Sequence, residues 1–217
     1  MRIITVSREF GSGGREVGKR LAEALGVAYY DREIITAVAE KSALDETYVE
    51  NALEKGLLHN FSFTFSHTFA HTSMLNDSVC ELFAEQNRVL RQLAQNGDCV
   101  IVGRSADAVL EEWRPLKLFV YADLPSKIAR CRERAAAGEN LRDKDIEKRI
   151  RQVDKSRANY HSIVSDTGWG RRESYHLCLN TTGLEIKSVI PMLTEFSRLW
   201  FQQQEAAEAA AEAAKTE

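Results

Sequence analysis

The sequence predicts an α/β fold built on a parallel sheet, and three stretches carry that expectation. Residues 2–26, RIITVSREFGSGGREVGKRLAEALG, read as strand, glycine loop and helix. Ile3, Ile4 and Val6 form a short β-branched run, Gly11, Ser12, Gly13 and Gly14 follow, and Val17, Leu21, Ala24 and Leu25 recur at helical spacing. Residues 99–102 and 116–121 are near-continuous apolar runs, the mark of strands buried on both faces of a parallel sheet.

The loop after the first strand is the first functional signal. Glycines between a strand and a helix point backbone N–H groups into one concavity at the helix N-terminus, so the expected ligand is a phosphate. The strict pattern G-x-x-x-x-G-K-[ST] uses a lysine to reach the β/γ-phosphates and a hydroxyl to help hold magnesium. Here Gly13 is followed by Gly14, then Arg15 and Glu16, so positive charge is displaced and a carboxylate stands near the usual hydroxyl position. On the loop alone, a tight turn whose glycines serve only packing remains the alternative.

Gly26 is the expected stop of the first helix, and residues 27–30 form a second strand leading into Asp31 and Arg32. Ile34, Ile35, Val38 and Ala39 read as a helix, and Asp45 as the N-cap of another that carries Val49, Ala52 and Leu53 before Gly56. Residues 57–75, LLHNFSFTFSHTFAHTSML, break the pattern. Phe61, Phe63 and Phe65 alternate with Ser62 and Thr64, and His67 and His71 share a face only if the segment is helical. Two histidines without further ligands do not make a zinc site, so the expectation is a flexible, partly apolar flap that packs on substrate or on a second subunit.

A long helix is expected from Asn76 to Gly97, with Val79, Leu82, Phe83, Val89, Leu90 and Leu93 on its apolar side. Gly103 and Arg104 end the strand at 99–102. Open α/β sheets bind ligands at those carboxyl ends, which makes Arg104 a candidate for holding a phosphate or carboxylate. Asp123 and Pro125 open the helix after residues 116–121, and the chain from Lys127 to Arg157 is rich in arginine and lysine. This segment is either a solvated helical hairpin with i,i+4 ion pairs or two arginine-bearing helices, joined near Gly138, that close over transferring phosphates. Asp154 and Arg157, at i and i+3, can contact a common ligand. Trp169 marks an irregular connection to a last strand at 175–179, and Thr182 or Gly183 starts a final amphipathic helix through Leu193, Phe196 and Trp200. Beyond Gln204 the tail is almost all Ala and Glu, extending the helix or fraying, with no chemistry assigned.

Composition bounds these readings. With 44% hydrophobic and 28% charged residues, 217 residues suit one compact unit with a substantial interior, and indicate neither disorder nor a membrane span. A formal charge of −3 argues against a surface dedicated to nucleic acid. Cys80, Cys99, Cys131 and Cys178 are scattered without metal-ligand spacing, so inert thiols are expected and no metal site is assigned. The opening MRIITV lacks a secretory signal, which makes a cytoplasmic location the default.

In this order the segments resemble the cytidylate kinase-like group of P-loop nucleoside monophosphate kinases, over roughly residues 2–195. ITVSREFGSGGREVGKRLAEALG is similar to that group's phosphate loop and first helix, VAYYDREI to the entry into its monophosphate-binding region, and VIVGRSAD to its strand ending in Gly-Arg. LKLFVYADLPSKIARCRER is similar to its fourth strand and arginine-rich lid, and DKSRANYH to the stretch after the lid. The resemblance implies a P-loop NTPase-like three-layer α/β/α sandwich with a five-stranded parallel sheet, binding ATP and Mg2+ and phosphorylating CMP or dCMP. Residues 1–204 then form one nucleotide kinase-like domain: a core of 1–30, 97–125 and 164–204, a monophosphate-binding region at about 31–96, a lid at about 126–163, and a tail at 205–217.

By position, Gly11, Ser12, Gly13, Gly14, Arg15 and Glu16 bind the donor phosphates. Asp31, Arg104, Asp154 and Arg157 bind the acceptor, and Arg15, Arg130, Arg134 and Asp154 are the catalytic candidates. The group's phosphate-loop lysine falls on Gly14, and Arg15 is the expected replacement. Two alternatives stay open: a nucleotide-binding regulator or pseudokinase, motivated by Gly14, and a kinase for a non-nucleotide small molecule, motivated by residues 57–75. A homodimer through the long helix and the flap is a further expectation, with no nucleic-acid or membrane partner.

Overall fold

Five strands make one parallel sheet in the computed structural model, which describes residues 1–47, 49, 50, 53, 69–135 and 142–214, the side chains of 69–79 excepted. They are β1 (Ile3–Arg8), β2 (Ala28–Tyr30), β3 (Cys99–Val102), β4 (Leu116–Tyr121) and β5 (Leu177–Asn180), in the order β2-β3-β1-β4-β5. The register runs Thr5↔Ile101 on one side of β1 and Val6↔Leu118 on the other.

Successive strand residues point to opposite faces, and both faces are covered. Ile3 and Ile101 enter a core with α2 (Glu33–Ser42), α3 (Phe69–Gln95) and the one-turn α4 (Ala106–Val109). Ile4, Val6, Val100, Val102, Leu118 and Val120 enter a second core with α1 (Gly14–Leu25) and α7 (Ile186–Ala213). That is the three-layer α/β/α sandwich, and it explains why β3 and β4 read as near-continuous apolar runs. Leu21, Leu90 and Ile101 are fully buried; each such side chain contributes about 1.5–3 kcal/mol relative to exposure.

The expected punctuation is present. Gly26 caps α1, its N–H reaching the Ala22 and Glu23 carbonyls, and the Asp45 side chain accepts the Thr47 N–H at 2.9 Å. Asp123 accepts the Ser126 N–H at 2.9 Å to start α5 (Leu124–Glu133), with a proline in its first turn. α6 (Asp143–Val164) packs back on α5 and reaches α4.

Four boundaries differ from expectation. β1 runs two residues beyond Val6 because it stays paired with β4 as far as Arg8↔Val120. α3 begins at Phe69 instead of Asn76, so the end of the Phe/His-rich segment is helix, while its residues 57–68 lie outside the described ones. β5 is shifted to 177–180, Tyr175 closing a 3-10 turn at Arg172–Ser174. α7 starts at Ile186, not at Thr182 or Gly183, because side chains hold residues 181–184 as a loop: Thr182 Oγ1 accepts the Asp123 N–H at 2.8 Å, and Arg130 bonds the Thr181 and Leu184 carbonyls. The expected junction near Gly138 lies outside the described residues.

Candidate active site

The glycine loop lies at the carboxyl end of β1 and opens α1. Gly13, the N-cap, is left-handed at φ 84° and has no side chain to take the first N–H groups of the helix, which no helical carbonyl can reach either. The loop is held closely: a Cβ on Gly11 would lie 2.9 Å from the Lys127 carbonyl oxygen, and one on Gly13 2.9 Å from Ile186 Cδ1. Fully buried Ser12 donates to the Glu9 carbonyl at 2.8 Å, and its own carbonyl accepts the Thr181 hydroxyl at 2.7 Å. These are the features of an anion cradle made from backbone.

A cavity of about 780 Å³ opens beside the loop, lined by Ser7 and Arg8 from β1, Gly103 to Ser105 after β3, Phe83 and Gln86 from α3, and one face of α6. Among the described residues, Arg8, Arg104, Lys148, Arg149 and Arg157 line it against one carboxylate, that of Asp145. Residues 103 to 105 turn through three consecutive left-handed conformations, with Arg104 at φ 61° and Ser105 at φ 49°. Non-glycine residues adopt these reluctantly, and such strain collects at ligand sites. Burial, and next the Arg157 charge, push the Arg8 guanidinium well below its ordinary pKa, Asp31 opposing them. Phe83 and Tyr160 stack with centroids 4.3 Å apart. Gln86 Nε2 donates to the Tyr160 hydroxyl at 2.9 Å, and the buried Gln86 Oε1 has no partner among the described residues.

The predicted site residues divide into three groups. Arg104 and Arg157 are brought to the cavity wall, and Asp31 sits beside it, 2.5 Å from Arg15 Nε and 3.8 Å from Arg8 Nη2. Arg15 is more than half exposed and directed at Asp31. Asp154 lies beneath the loop: its carboxylate accepts the Phe10 N–H at 2.6 Å, with Arg157 and Lys127 at 3.7 and 3.8 Å. Burial pushes that carboxyl up to about 6. Arg130 spans Thr181 Oγ1 and the carbonyls of Thr181 and Leu184 at 2.5–3.3 Å, and Arg134 meets Glu16 at 3.2 Å.

The residues present do not fit a protein-held magnesium. The hydroxyl position of the strict loop is Arg15, engaged with Asp31, while Glu9 is held by Lys127 at 2.8 Å and Glu16 by Arg20 and Arg134. Among the described residues no three His, Cys, Asp or Glu side chains cluster as metal ligands.

Sequence reasoning missed three features. Arg8 was legible in principle, as a cation at a strand's carboxyl end. Gln86 had no signal, being one polar residue on a long helix. The buried chain Ser7 Oγ to Asp107 Oδ1 at 3.1 Å and Asp107 Oδ2 to His161 Nε2 at 3.0 Å ties β1, α4 and α6 under the cavity across more than fifty residues.

The profile of the cytidylate kinase-like family matches residues 3–183, most of the chain and all the elements that build this site. The chain belongs to the cytidylate kinase-like family. No curated protein sequence matches it. Among solved structures, an uncharacterized protein from Eubacterium ventriosum is similar with a TM-score of 0.63 at 21% identity, covering 91% of this chain and 99% of that one. Shikimate kinase from Bacteroides thetaiotaomicron has a TM-score of 0.52 at 13% identity, covering 90% and 97%. Shikimate kinase from Acinetobacter baumannii, in complex with shikimate, has 0.52 at 15%, covering 90% and 92%. At these identities the likeness is one of fold: this member of the family has the architecture of P-loop kinases. Among the described residues no helix is long and apolar enough to cross a membrane.

Proposed function

We infer that the chain transfers the terminal phosphoryl group of Mg-ATP, bound at the glycine loop, to a nucleoside monophosphate in the adjoining cavity, with CMP or dCMP first among the acceptors. The observation that carries this is the charge of the cavity wall, among the described residues five cations against one carboxylate at the carboxyl ends of the sheet, beside the open N-terminus of α1. A phosphate monoester next to a triphosphate is the ligand pair that such a wall favours. The Phe83–Tyr160 stack and the Gln86 oxygen, without a partner among the described residues, provide an apolar surface and an acceptor for a base. Magnesium belongs to the Mg-ATP substrate in this scheme.

The side chains act by holding and by charge. Arg104 and Arg157 bind the acceptor phosphate, and Asp31 sets the guanidinium groups around it. Asp154 positions the loop through the Phe10 N–H and is not needed as a base, because a phosphate acceptor is already anionic. Arg130 and Arg134 fix the loop's surroundings through Thr181 and Glu16. Residues 31–96 serve as the acceptor region and 126–163 as the lid.

A second reading, a nucleotide-binding regulator that does not turn over, is favoured by Gly14 at the lysine position. A thermal-shift screen of nucleoside mono- and triphosphates with and without magnesium, followed by a transfer assay on the hits, separates the two. The kinase reading expects an ATP analogue and CMP together to raise Tm beyond either alone, and ADP to form only when both substrates are present. Stabilisation without turnover establishes the regulator. Turnover with a non-nucleotide acceptor but none with CMP or dCMP moves the substrate class, and no response to any triphosphate ends both readings.

A further inference from the structure

The strict loop pattern has two ends, and this chain departs from it at both. With Gly13 as the second glycine of G-x-x-x-x-G-K, the first glycine falls on Arg8 and the lysine on Gly14. A cation stands where the pattern has no side chain, and no side chain stands where it has a cation.

The structure shows that these two departures are one steric event. A Cβ on Gly14 would lie 2.4 Å from Arg8 Cβ and 2.9 Å from Arg8 Cγ. The Cβ is set by the backbone of β1 and cannot swing aside as a flexible tip can. At the far end, a Cβ on Gly103 would lie 1.5 Å from Arg8 Nη1 and 2.5 Å from Cζ. Gly103 also has φ 76°, a conformation that other residues adopt reluctantly. Arg8 thus passes over two glycines, from the loop to the end of β3, and its side chain lines the cavity while remaining only 12% exposed.

We propose that Arg8 carries the phosphate-binding charge that the strict loop assigns to its lysine, contacting the transferring phosphoryl group, and that Gly14 and Gly103 are the space it occupies. This rests on the kinase reading above. Arg15 is placed differently: it is more than half exposed and 2.5 Å from the Asp31 carboxylate, whereas Arg8 lies 3.8 Å from Asp31, beyond hydrogen-bond distance. Arg157 steadies Arg8 by donating to its carbonyl oxygen at 2.9 Å. In the step, the bond from the γ-phosphorus to the β,γ-bridging oxygen breaks, that oxygen leaves on ADP, and an acceptor phosphate oxygen bonds to the phosphorus. With a dianionic acceptor no proton changes hands. Arg8 supplies charge to the equatorial oxygens and exchanges nothing.

The test is a reciprocal set: Arg8→Met, Arg8→Lys, Gly14→Lys and the double variant Arg8→Gly/Gly14→Lys, with Arg15→Ala for comparison. Each is measured for Tm, for Mg-ATP-analogue affinity by calorimetry, and for kcat and KM with CMP or whichever acceptor the screen finds. Arg8→Met, which keeps length without charge, is expected to lose at least tenfold in kcat with a smaller change in KM, and Arg8→Lys to recover part of the loss. Arg15→Ala is expected to lose less than Arg8→Met. Gly14→Lys alone is expected to lower Tm by several degrees or fail to fold, and the double variant to regain both Tm and analogue affinity. An Arg8→Met enzyme with wild-type kcat, or a double variant no more stable than Gly14→Lys, overturns the proposal while leaving the kinase reading intact. Wild-type protein that binds no triphosphate overturns both.

Discussion

Asp154 shows how burial and a single hydrogen bond set the behaviour of one residue. Its carboxyl is pushed up to about 6 by burial, against the Phe10 N–H, Arg157 and Lys127, which favour the charged form. A carboxyl whose folded pKa lies above its unfolded value stabilises the fold while protonated, and that contribution is lost as pH rises through the folded value. From the ordinary value of 3.8 to about 6, the loss has a ceiling of about 3 kcal/mol. An Asp154→Asn protein keeps an oxygen for the Phe10 N–H without the charge. Its stability relative to wild type is therefore expected to rise between pH 4 and pH 7, read by urea unfolding at several pH values; a flat difference contradicts the account. Gln86 makes the other argument at this scale. Its amide nitrogen is used by Tyr160 and its oxygen is not used by the described residues. Gln86→Leu should weaken acceptor binding about tenfold, the worth of one hydrogen bond of about 1.4 kcal/mol, and leave ATP-analogue affinity unchanged. Equal losses for both ligands would mean that Gln86 supports the fold and reads nothing.

At the scale of elements, most of the architecture was legible because local signals agreed. The near-continuous apolar runs at 99–102 and 116–121, the cap at Gly26 and the Asp123 N-cap each mark an element without help from the rest of the chain. The errors came where distant groups decide. α7 starts late because Arg130, fifty-one residues from Thr181 in sequence, takes the carbonyls of the preceding loop. The tail was ambiguous because Ala and Glu favour helix without specifying contacts. It continues α7 to Ala213, and the exposed pairs Arg2–Glu205 at 3.1 Å and Arg114–Glu208 at 3.4 Å are among its contacts with the rest. Exposed pairs contribute about 0–1 kcal/mol each. Truncation after Gln204 is therefore expected to lower Tm by only a few degrees and to leave ligand binding unchanged. Phe201→Ala, in the core between α7 and the sheet, should cost about 3–5 kcal/mol. A truncation as damaging as Phe201→Ala would show that the tail holds the fold in a way these two pairs do not explain.

For the whole molecule, the loop and α6 form one mechanical unit, and nothing local in the sequence announces it. Phe10 donates its N–H to Asp154 across 144 residues, Arg157 donates to the Arg8 carbonyl, and Arg149 and Arg157 lie 5.7 and 5.9 Å from the centre of the Phe10 ring. The glycine loop was readable because its glycines are contiguous; of the cavity wall only Arg104 and Arg157 were read, because Arg8 from β1, Phe83 and Gln86 from α3, and Lys148 and Arg149 from α6 stand on separate elements that only the fold brings together. Since α6 both grips the loop and lines the cavity, a ligand that orders one orders the other. Positive coupling is the consequence, and it must be reciprocal: an ATP analogue should tighten CMP by the same factor by which CMP tightens the analogue. Each guanidinium over the Phe10 ring is worth about 0.5–2 kcal/mol. Phe10→Ala should therefore bring the coupling factor close to one, measured by calorimetric titration of each ligand with and without the other. If Phe10→Ala weakened both ligands alike and left their coupling intact, the ring would be packing for the loop alone, and communication between the two sites would have to run through the buried Ser7–Asp107–His161 chain instead.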